Sequence, residues 1–141
     1  MAAASGRRIV DMVWEDLTPD KIITPAATRN ATAVAMATGC STNAIIHLIA
    51  MARRAGVDWG LDDLDTIGRD VPVLANIRPS GKEYLMEDFF YAGGLPALMK
   101  EISFTLHLSA ITVTGKTMGC LLYTSDAGRS TLCRSRWSPY H

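Results

Sequence analysis

The chain has 141 residues, enough for one modest domain, and 48% of them are hydrophobic, enough for a buried core. Its 14 basic and 14 acidic residues give zero formal net charge, which removes the simplest electrostatic argument for binding nucleic acid or an anionic membrane surface. No apolar run is long enough to span a bilayer, and the 3 cysteines lack disulfide-framework spacing, so the sequence predicts a cytoplasmic protein.

The first part of the chain predicts three successive helices. Apolar residues recur at helical spacing in GRRIVDMVWEDLTPD, and Ser5 is the expected cap. In ITPAATRNATAVAMATG, we expect Thr24 as N-cap, Pro25 as first helical residue and Gly39 as the end. STNAIIHLIAMARRAG is expected to close with a left-handed turn at Gly56. Because its apolar residues leave little polar face, this third helix is predicted to be buried on all sides.

The middle of the chain predicts an alternation of helices and strands. LDDLDTIGRD is expected to form a short helix, VPVLANI a buried strand and RPSG a turn. YLMEDFFYAGG and LPALMKEIS predict two helices separated by Gly93 and Gly94, and the β-branched AITVTG predicts another strand. These strands are too few for a whole sheet, so we predict a helix-rich piece of a larger α/β domain.

The pattern changes after Gly119. Residues 120–141 are rich in Ser, Thr and Arg, hold two of the three cysteines and show no sustained period. We therefore assign residues 1–119 to the domain piece and residues 120–141 to an irregular tail. This tail is expected to be disordered, or an artefact such as a frameshift or a translated adapter.

AITVTGKT, residues 110–117, fits the phosphate-binding pattern [AG]-x-x-x-x-G-K-[ST]. A true phosphate loop has a flexible backbone between a strand and a helix, and its N–H groups surround the phosphates. Here the four central residues are all β-branched and stiff, and only MGC follows in place of an amphipathic helix. The match therefore does not predict nucleotide binding.

The remaining reactive side chains do not form a recognisable centre. No cysteine pair has the spacing of a metal site, so Cys40 is not assigned as a ligand. His47 has no nearby nucleophile and is expected to be a core or interface residue. The acids of LDDLD are expected to stabilise a helix N-terminus rather than to bind a metal. In MED, Glu87 and Asp88 are adjacent and would point in different directions on a helix, which also argues against a metal site.

GCSTN, at the start of the third helix, is the candidate functional site. Free N–H groups at a helix start attract carboxylate or phosphate groups. Ser41, Thr42 and Asn43 would add hydroxyl and amide contacts, so we identify them as a substrate-proximal helix start. Simple capping of the helix by these side chains is the alternative.

Five consecutive blocks resemble the dihydroxy-acid and sugar-acid dehydratases. They cover about residues 3–119 without a large gap, and several blocks in the right order are far more specific than one. The blocks are GRRIVDMVWEDLTPDKIIT, MATGCSTNAIIHLIAMARRAGV, LDDLDTIGRDVPVLANIRPSG, YLMEDFFYAGGLPALMKEI and LHLSAITVTGKTMG. The resemblance implies an internal fragment of a three-layer α/β/α N-terminal domain.

The resemblance also implies a hydro-lyase that converts 2,3-dihydroxy acids to 2-keto-3-deoxy acids. Such enzymes use an iron–sulfur cluster as Lewis acid, a magnesium ion held by acids and a carbamylated lysine, and a serine base. The motifs that carry these groups lie outside this stretch. No catalytic, cofactor-binding or metal-binding residue is therefore assigned here, and the fragment alone is expected to be inactive and poorly soluble.

The substrate class is inferred from two of the blocks. The resemblance to the sugar-acid members, which act on pentonates or hexonates, is carried by VLANIRPSG and MEDFFYAGGLPALM. The branched-chain amino-acid enzyme is the alternative. The resemblance implies a small dihydroxy acid as ligand and a homo-oligomer as assembly. A non-catalytic interaction module is an alternative of another class, in which an exposed NAIIHLIAMA would bind a partner.

Overall fold

The computed structural model describes residues 2–124. Within this range the chain is helix-rich, with two isolated bridges, Ile77–Tyr84 and Ile111–Thr117, in place of named strands. None of the helices in residues 2–124 has the length and apolar character needed to cross a membrane. The helices are α1 (Ala2–Trp14), α2 (Pro19–Ile22), α3 (Pro25–Thr38), α4 (Thr42–Arg54), α5 (Leu61–Asp70), α6 (Met86–Tyr91), α7 (Gly94–Glu101) and α8 (Met118–Thr124).

Helix α3 lies at the centre and contacts α4, α5 and α7. Its buried side chains are all small or short and polar, so that neighbouring helices approach its backbone closely. They are Thr28, Asn30, Thr32, Ala33, Ala35 and Ala37. The fully buried hydroxyl of Thr32 donates to the Thr28 carbonyl at 3.0 Å, so this buried polar group is satisfied within the helix.

Both ends of α3 confirm the sequence prediction. The Thr24 side chain accepts a hydrogen bond from the Ala27 N–H at 3.3 Å, and Pro25 is the first helical residue. Gly39 adopts a left-handed conformation (φ 63°), and its N–H donates to the Met36 carbonyl at 3.1 Å.

The hydrophobic core lies between α3 and the elements that pack on it, namely α5, α7 and segments that connect the helices. Ile102, immediately after α7, is fully buried. The core also contains Val57, Trp59, Leu64, Ile67, Val71, Ile77, Phe89 and Leu98.

Asn30 fixes the segment after α7 onto α3. It is 2% exposed, its amide donates to the His107 carbonyl at 2.9 Å, and its side-chain oxygen accepts from the His107 N–H at 2.7 Å. This pair satisfies both backbone groups of His107 with one side chain, so α3 positions the approach to residues 108–117.

The two strand predictions are wrong for residues 2–124. The segment 71–77 is extended, but the N–H groups of Leu74 and Ala75 donate to the carbonyl of Ala37 at the end of α3, at 2.8 and 3.1 Å. A β-ladder requires a neighbouring strand, and no described segment supplies one. AITVTG instead enters a tight turn that Ile111 and Thr117 close.

The predicted burial of the third helix on all sides is also wrong. In α4 only Ala52 is buried, whereas Ile46 is 62% and Met51 is 53% exposed. Helix α3 covers one face of α4, and the opposite apolar face meets no comparable element among residues 2–124.

Helix α1 is attached to the rest of the structure by a polar clamp. The Arg8 Nε donates to the Val113 carbonyl at 2.6 Å, and its two terminal nitrogens each lie 2.7 Å from an oxygen of Glu15. This ion pair raises the pKa of Arg8 and lowers the pKa of Glu15 through the hydrogen bonds between them. The helix begins at Ala2, so Ser5 lies inside it and is not the cap.

Residues 120–124 differ from the predicted irregular tail, because they belong to α8 and bury Leu122. Gly119 and Cys120 lie in the same helix, so the expected boundary between them falls inside a helical segment. The rest of the predicted tail, residues 125–141, lies outside the described residues.

We expect Asn30→Ala to lower the free energy of unfolding by about 1–3 kcal/mol, because it leaves the N–H of His107 without a partner, whereas the His107 carbonyl still accepts from the Ala110 N–H at 3.2 Å. Urea unfolding of the 141-residue chain measures this change. Asn43→Ala is the matched control, since Asn43 is exposed and should change stability by less than about 0.5 kcal/mol. Equal effects of the two substitutions would show that the hydrogen bonds between Asn30 and His107 contribute nothing to stability.

We expect acid to loosen α1. The pKa of Glu15 is lower in the folded state than in the unfolded state. The stability contributed by its ionised carboxylate is therefore fully present above the unfolded pKa and is lost as the pH falls through the folded pKa. Amide hydrogen exchange in α1, corrected for intrinsic rates, should therefore accelerate across this acid range. In Glu15→Gln the exchange should be fast already and should lack the transition; the same transition in both chains would contradict the clamp.

Candidate functional site

The candidate site is the turn at residues 39–43, which joins α3 to α4. Gly39 reverses the chain direction, Ser41 is extended (φ −71°, ψ 153°), and α4 begins at Thr42. A Cβ atom at Gly39 would lie 3.8 Å from a methyl carbon of Val73 and 4.0 Å from the Ala75 carbonyl oxygen. The turn therefore lies against the extended segment 71–77.

The side chains of Ser41, Thr42 and Asn43 are all exposed. Ser41 occupies the N-cap position, but its side chain makes no capping hydrogen bond. The expected alternative, in which these side chains serve as caps, is therefore not seen at Ser41. The start of a 13-residue helix and three adjacent polar side chains are accessible together, an arrangement that suits an anionic group such as a carboxylate.

Cys40 lies next to the site as a partly buried free thiol. Partial burial raises the pKa of its thiol, which favours the protonated form over the thiolate that binds metals. Across residues 2–124, no three His, Cys, Asp or Glu side chains lie close enough to hold a metal ion. The described residues therefore do not supply a ligand set for an iron–sulfur cluster or for magnesium.

Of the core and interface alternatives expected for His47, the core alternative is wrong because its side chain is exposed on α4, one turn after Asn43; the interface alternative stays a prediction. His107 also has an exposed side chain, although its backbone is held by Asn30. The structure brings neither histidine to a nucleophile, so it assigns neither a catalytic role.

The acidic residues of LDDLD confirm their expected role at a helix start, and the structure assigns the same role to MED. An oxygen of Asp63 accepts from the Gly60 N–H at 2.8 Å at the start of α5. An oxygen of Asp88 accepts from the Leu85 N–H at 2.8 Å at the start of α6. Each carboxylate satisfies a backbone donor and interacts favourably with the helix dipole.

The segment that fits the phosphate-binding pattern folds into a turn that uses its own amides. The Gly115 N–H donates to the Thr112 carbonyl at 2.9 Å. The N–H of Lys116 donates to the Thr114 hydroxyl at 3.3 Å, and the N–H of Thr114 to the Thr112 hydroxyl at 3.4 Å. A helix, α8, does follow this segment, contrary to the prediction. The amides that would surround a phosphate nevertheless already have acceptors within the turn.

Sequence patterns did not single out three residues that the structure makes important. Asn30 carried a faint signal, as an amide within a helix of Ala and Thr. Arg8 carried none, since its acceptor Val113 is 105 positions away. Trp59 is buried, and its indole nitrogen has no partner among the described residues.

Comparison with known proteins identifies similarity over most of the chain. The family described as dihydroxy-acid/6-phosphogluconate dehydratase, N-terminal, matches residues 1–121. The L-arabinonate dehydratase of Rhizobium leguminosarum bv. trifolii (strain WSM2304) is 54% identical over 120 residues, which are 84% of this chain and 21% of that protein.

Two further relatives extend the similarity to nearly the whole chain. The 6-deoxy-6-sulfo-D-gluconate dehydratase of Pseudomonas putida is 46% identical over 139 residues, 99% of this chain and 24% of that protein. The dihydroxy-acid dehydratase of Acetivibrio thermocellus is 42% identical over 142 aligned positions, 99% of this chain and 26% of that protein. The chain thus spans about a fifth to a quarter of the length of these relatives.

Two glycine substitutions should have opposite effects on stability. Gly115 has a left-handed backbone (φ 76°), so Gly115→Ala should lower the free energy of unfolding by about 1–2 kcal/mol. Gly6 lies inside α1 with open space around it, so Gly6→Ala should raise stability by about 0.5–1 kcal/mol. Urea unfolding measures both. A neutral Gly115→Ala would mean that the turn does not adopt this conformation.

Proposed function

Because the chain belongs to the dihydroxy-acid/6-phosphogluconate dehydratase family, we propose that in a full-length enzyme it forms part of a hydro-lyase for 2,3-dihydroxy acids. The family match over residues 1–121 carries this proposal. Since the chain spans 21–26% of the relatives described above, the proposed activity belongs to the full-length enzyme. We expect the isolated chain to be inactive.

The proposed reaction eliminates water across C2 and C3 of the acid. The C2–H and C3–O bonds break, a proton and a hydroxyl leave together as water, and the enol that remains tautomerises to a 2-keto-3-deoxy acid. Hydroxide is a poor leaving group, so an iron–sulfur cluster and a magnesium ion are the proposed cofactors that would supply Lewis acidity. Their ligands would come from parts of the enzyme beyond residues 2–124.

The proposed role of this chain's own residues is to hold the substrate carboxylate at the start of α4. The exposed hydroxyls of Ser41 and Thr42 and the side-chain amide of Asn43 would donate to it, together with the backbone N–H groups of Thr42 and Asn43. The absence of a capping bond from Ser41 supports this proposal, because the hydroxyl is then not engaged within the helix.

Sugar acids such as pentonates or hexonates are the proposed substrates. The relatives named for L-arabinonate and 6-deoxy-6-sulfo-D-gluconate support this class, at 54% and 46% identity. The dihydroxy acids of branched-chain amino-acid biosynthesis are the alternative, supported by the relative named dihydroxy-acid dehydratase, at 42% identity. A non-catalytic interaction module is favoured only by the exposed apolar face of α4.

We further propose that residues 1–119 belong to a three-layer α/β/α domain of a cytoplasmic homo-oligomer. The extended segment 71–77 supports the domain architecture, since it would become a strand once a neighbouring strand is present.

Residues 120–141 remain a proposed artefactual tail. The family match ends at residue 121, although two of the relatives align with 99% of this chain. Sequencing the genomic locus across the Gly119 and Cys120 codons tests this.

The activity is tested with a chimera in which residues 1–119 replace the aligned region of the Rhizobium L-arabinonate dehydratase. We expect the chimera to contain iron and to form a 2-keto acid from L-arabinonate faster than from 2,3-dihydroxy-3-methylbutanoate. The 141-residue chain should form none. A folded, iron-containing chimera without product would contradict the proposed function.

In the same chimera, we expect Ser41→Ala and Asn43→Ala each to raise KM for the aldonate about tenfold, the loss of one hydrogen bond to a charged group. The melting temperature should stay unchanged, because neither side chain caps α4. Thr66→Ala, which removes an exposed hydroxyl on α5, is the control and should alter neither quantity. A lower melting temperature with an unchanged KM would assign these residues to capping alone.

A further inference from the structure

Helix α1 has two faces of opposite character. We define its outer face as Ile9, Val10, Val13 and Trp14, which are all exposed, with Val13 at 73% and Trp14 at 84%. These residues recur at helical spacing and therefore form one continuous apolar stripe. The inner face carries Arg8 and Met12, of which Met12 is the single buried residue of α1, and the half-exposed Glu15 follows the end of the helix.

The orientation of α1 is the reverse of what its composition favours. An amphipathic helix on a folded domain ordinarily buries its apolar stripe and exposes its charges. Here the bond from Arg8 to Val113 and the burial of Met12 fix the opposite side of α1 against the described structure, so the outer face points away from it. The half-exposed Glu15 pairs with Arg8 at the surface.

A contiguous exposed apolar stripe marks a surface that another element covers. The length of the relatives indicates which element this is. The chain spans 21–26% of three related dehydratases, so most of the polypeptide that would surround it in such an enzyme is not among its residues.

We propose that the outer face of α1 is the docking surface for the part of a dehydratase polypeptide that this chain does not contain. The proposal rests on the family assignment and not on the proposed activity. The occupant presents a complementary apolar surface, since all four side chains of the outer face are apolar. The clamp of Arg8, Glu15 and Val113 holds the helix in place for this contact.

Thiol labelling of a Val13→Cys variant tests the proposal. The labelling rate of the introduced thiol is measured with a small maleimide and resolved from other thiols by peptide mass spectrometry, in the 141-residue chain and in the chimera described above. The same protein in urea gives the rate of a fully exposed thiol. Arg69→Cys on α5, where the native side chain is 76% exposed, is the control for an exposed helical position in the 141-residue chain.

We expect the thiol at position 13 to react in the 141-residue chain at nearly its rate in urea, and at least about tenfold more slowly in the chimera. Rates within about twofold of each other would overturn the proposal, because the outer face would then stay exposed. Protection that grows with the concentration of the 141-residue chain would also overturn it, in favour of a second copy as occupant.

If the chimera fails to fold, a second measurement on the Rhizobium enzyme itself tests the proposal. A cysteine is placed in the unaltered Rhizobium enzyme at the position that aligns with Val13, and its labelling is compared in buffer and in urea. Protection in buffer supports the proposal, and equal rates overturn it. Neither readout requires turnover, so failure of the proposed activity and failure of the docking surface are distinguishable.

Discussion

The close approach of neighbouring helices to α3 is the constraint on which the rest of the structure depends. Only alanine and short polar side chains line its buried positions, so α4, α5 and α7 pack near its backbone. The three polar side chains that this places in the interior are satisfied, Thr28 and Thr32 by carbonyls one turn earlier and Asn30 by the backbone of His107. A larger side chain at Ala33 or Ala37, both fully buried, would force these elements apart.

The candidate site is a consequence of how α3 ends. Gly39 turns the chain in a conformation that a side chain adopts only with strain, and the carbonyl of Ala37 receives two N–H groups from the extended segment 71–77. The start of α4 is thereby fixed against that segment, with its polar residues accessible. The same local geometry serves the proposed contact with a substrate carboxylate, because a helix start that lacks a side-chain cap retains donors for an external anion.

Helices α1 and α4 both expose apolar surface that the described residues leave uncovered. Both helices carry apolar side chains that residues 2–124 do not cover, namely Val13 and Trp14 on α1 and Ile46 and Met51 on α4. Similarity to dehydratases of which this chain spans only 21–26% gives a physical reason, since helices of a larger domain are patterned for neighbours on several sides. Arg8 and Glu15 hold α1 in place without that neighbour.

The sequence by itself determined the features that depend on residues a few positions apart. Thr24, Pro25 and Gly39 bound α3, Gly93 separates α6 from α7, and Asp63 receives the backbone donor at the start of α5. The order of its blocks also identified the family. Tertiary structure alone decided which apolar faces are covered, where Asn30 and Arg8 find acceptors 77 and 105 positions away, and whether VPVLANI pairs as a strand. A cap is complete within one helical turn, whereas burial and strand pairing need a partner that the local pattern does not contain.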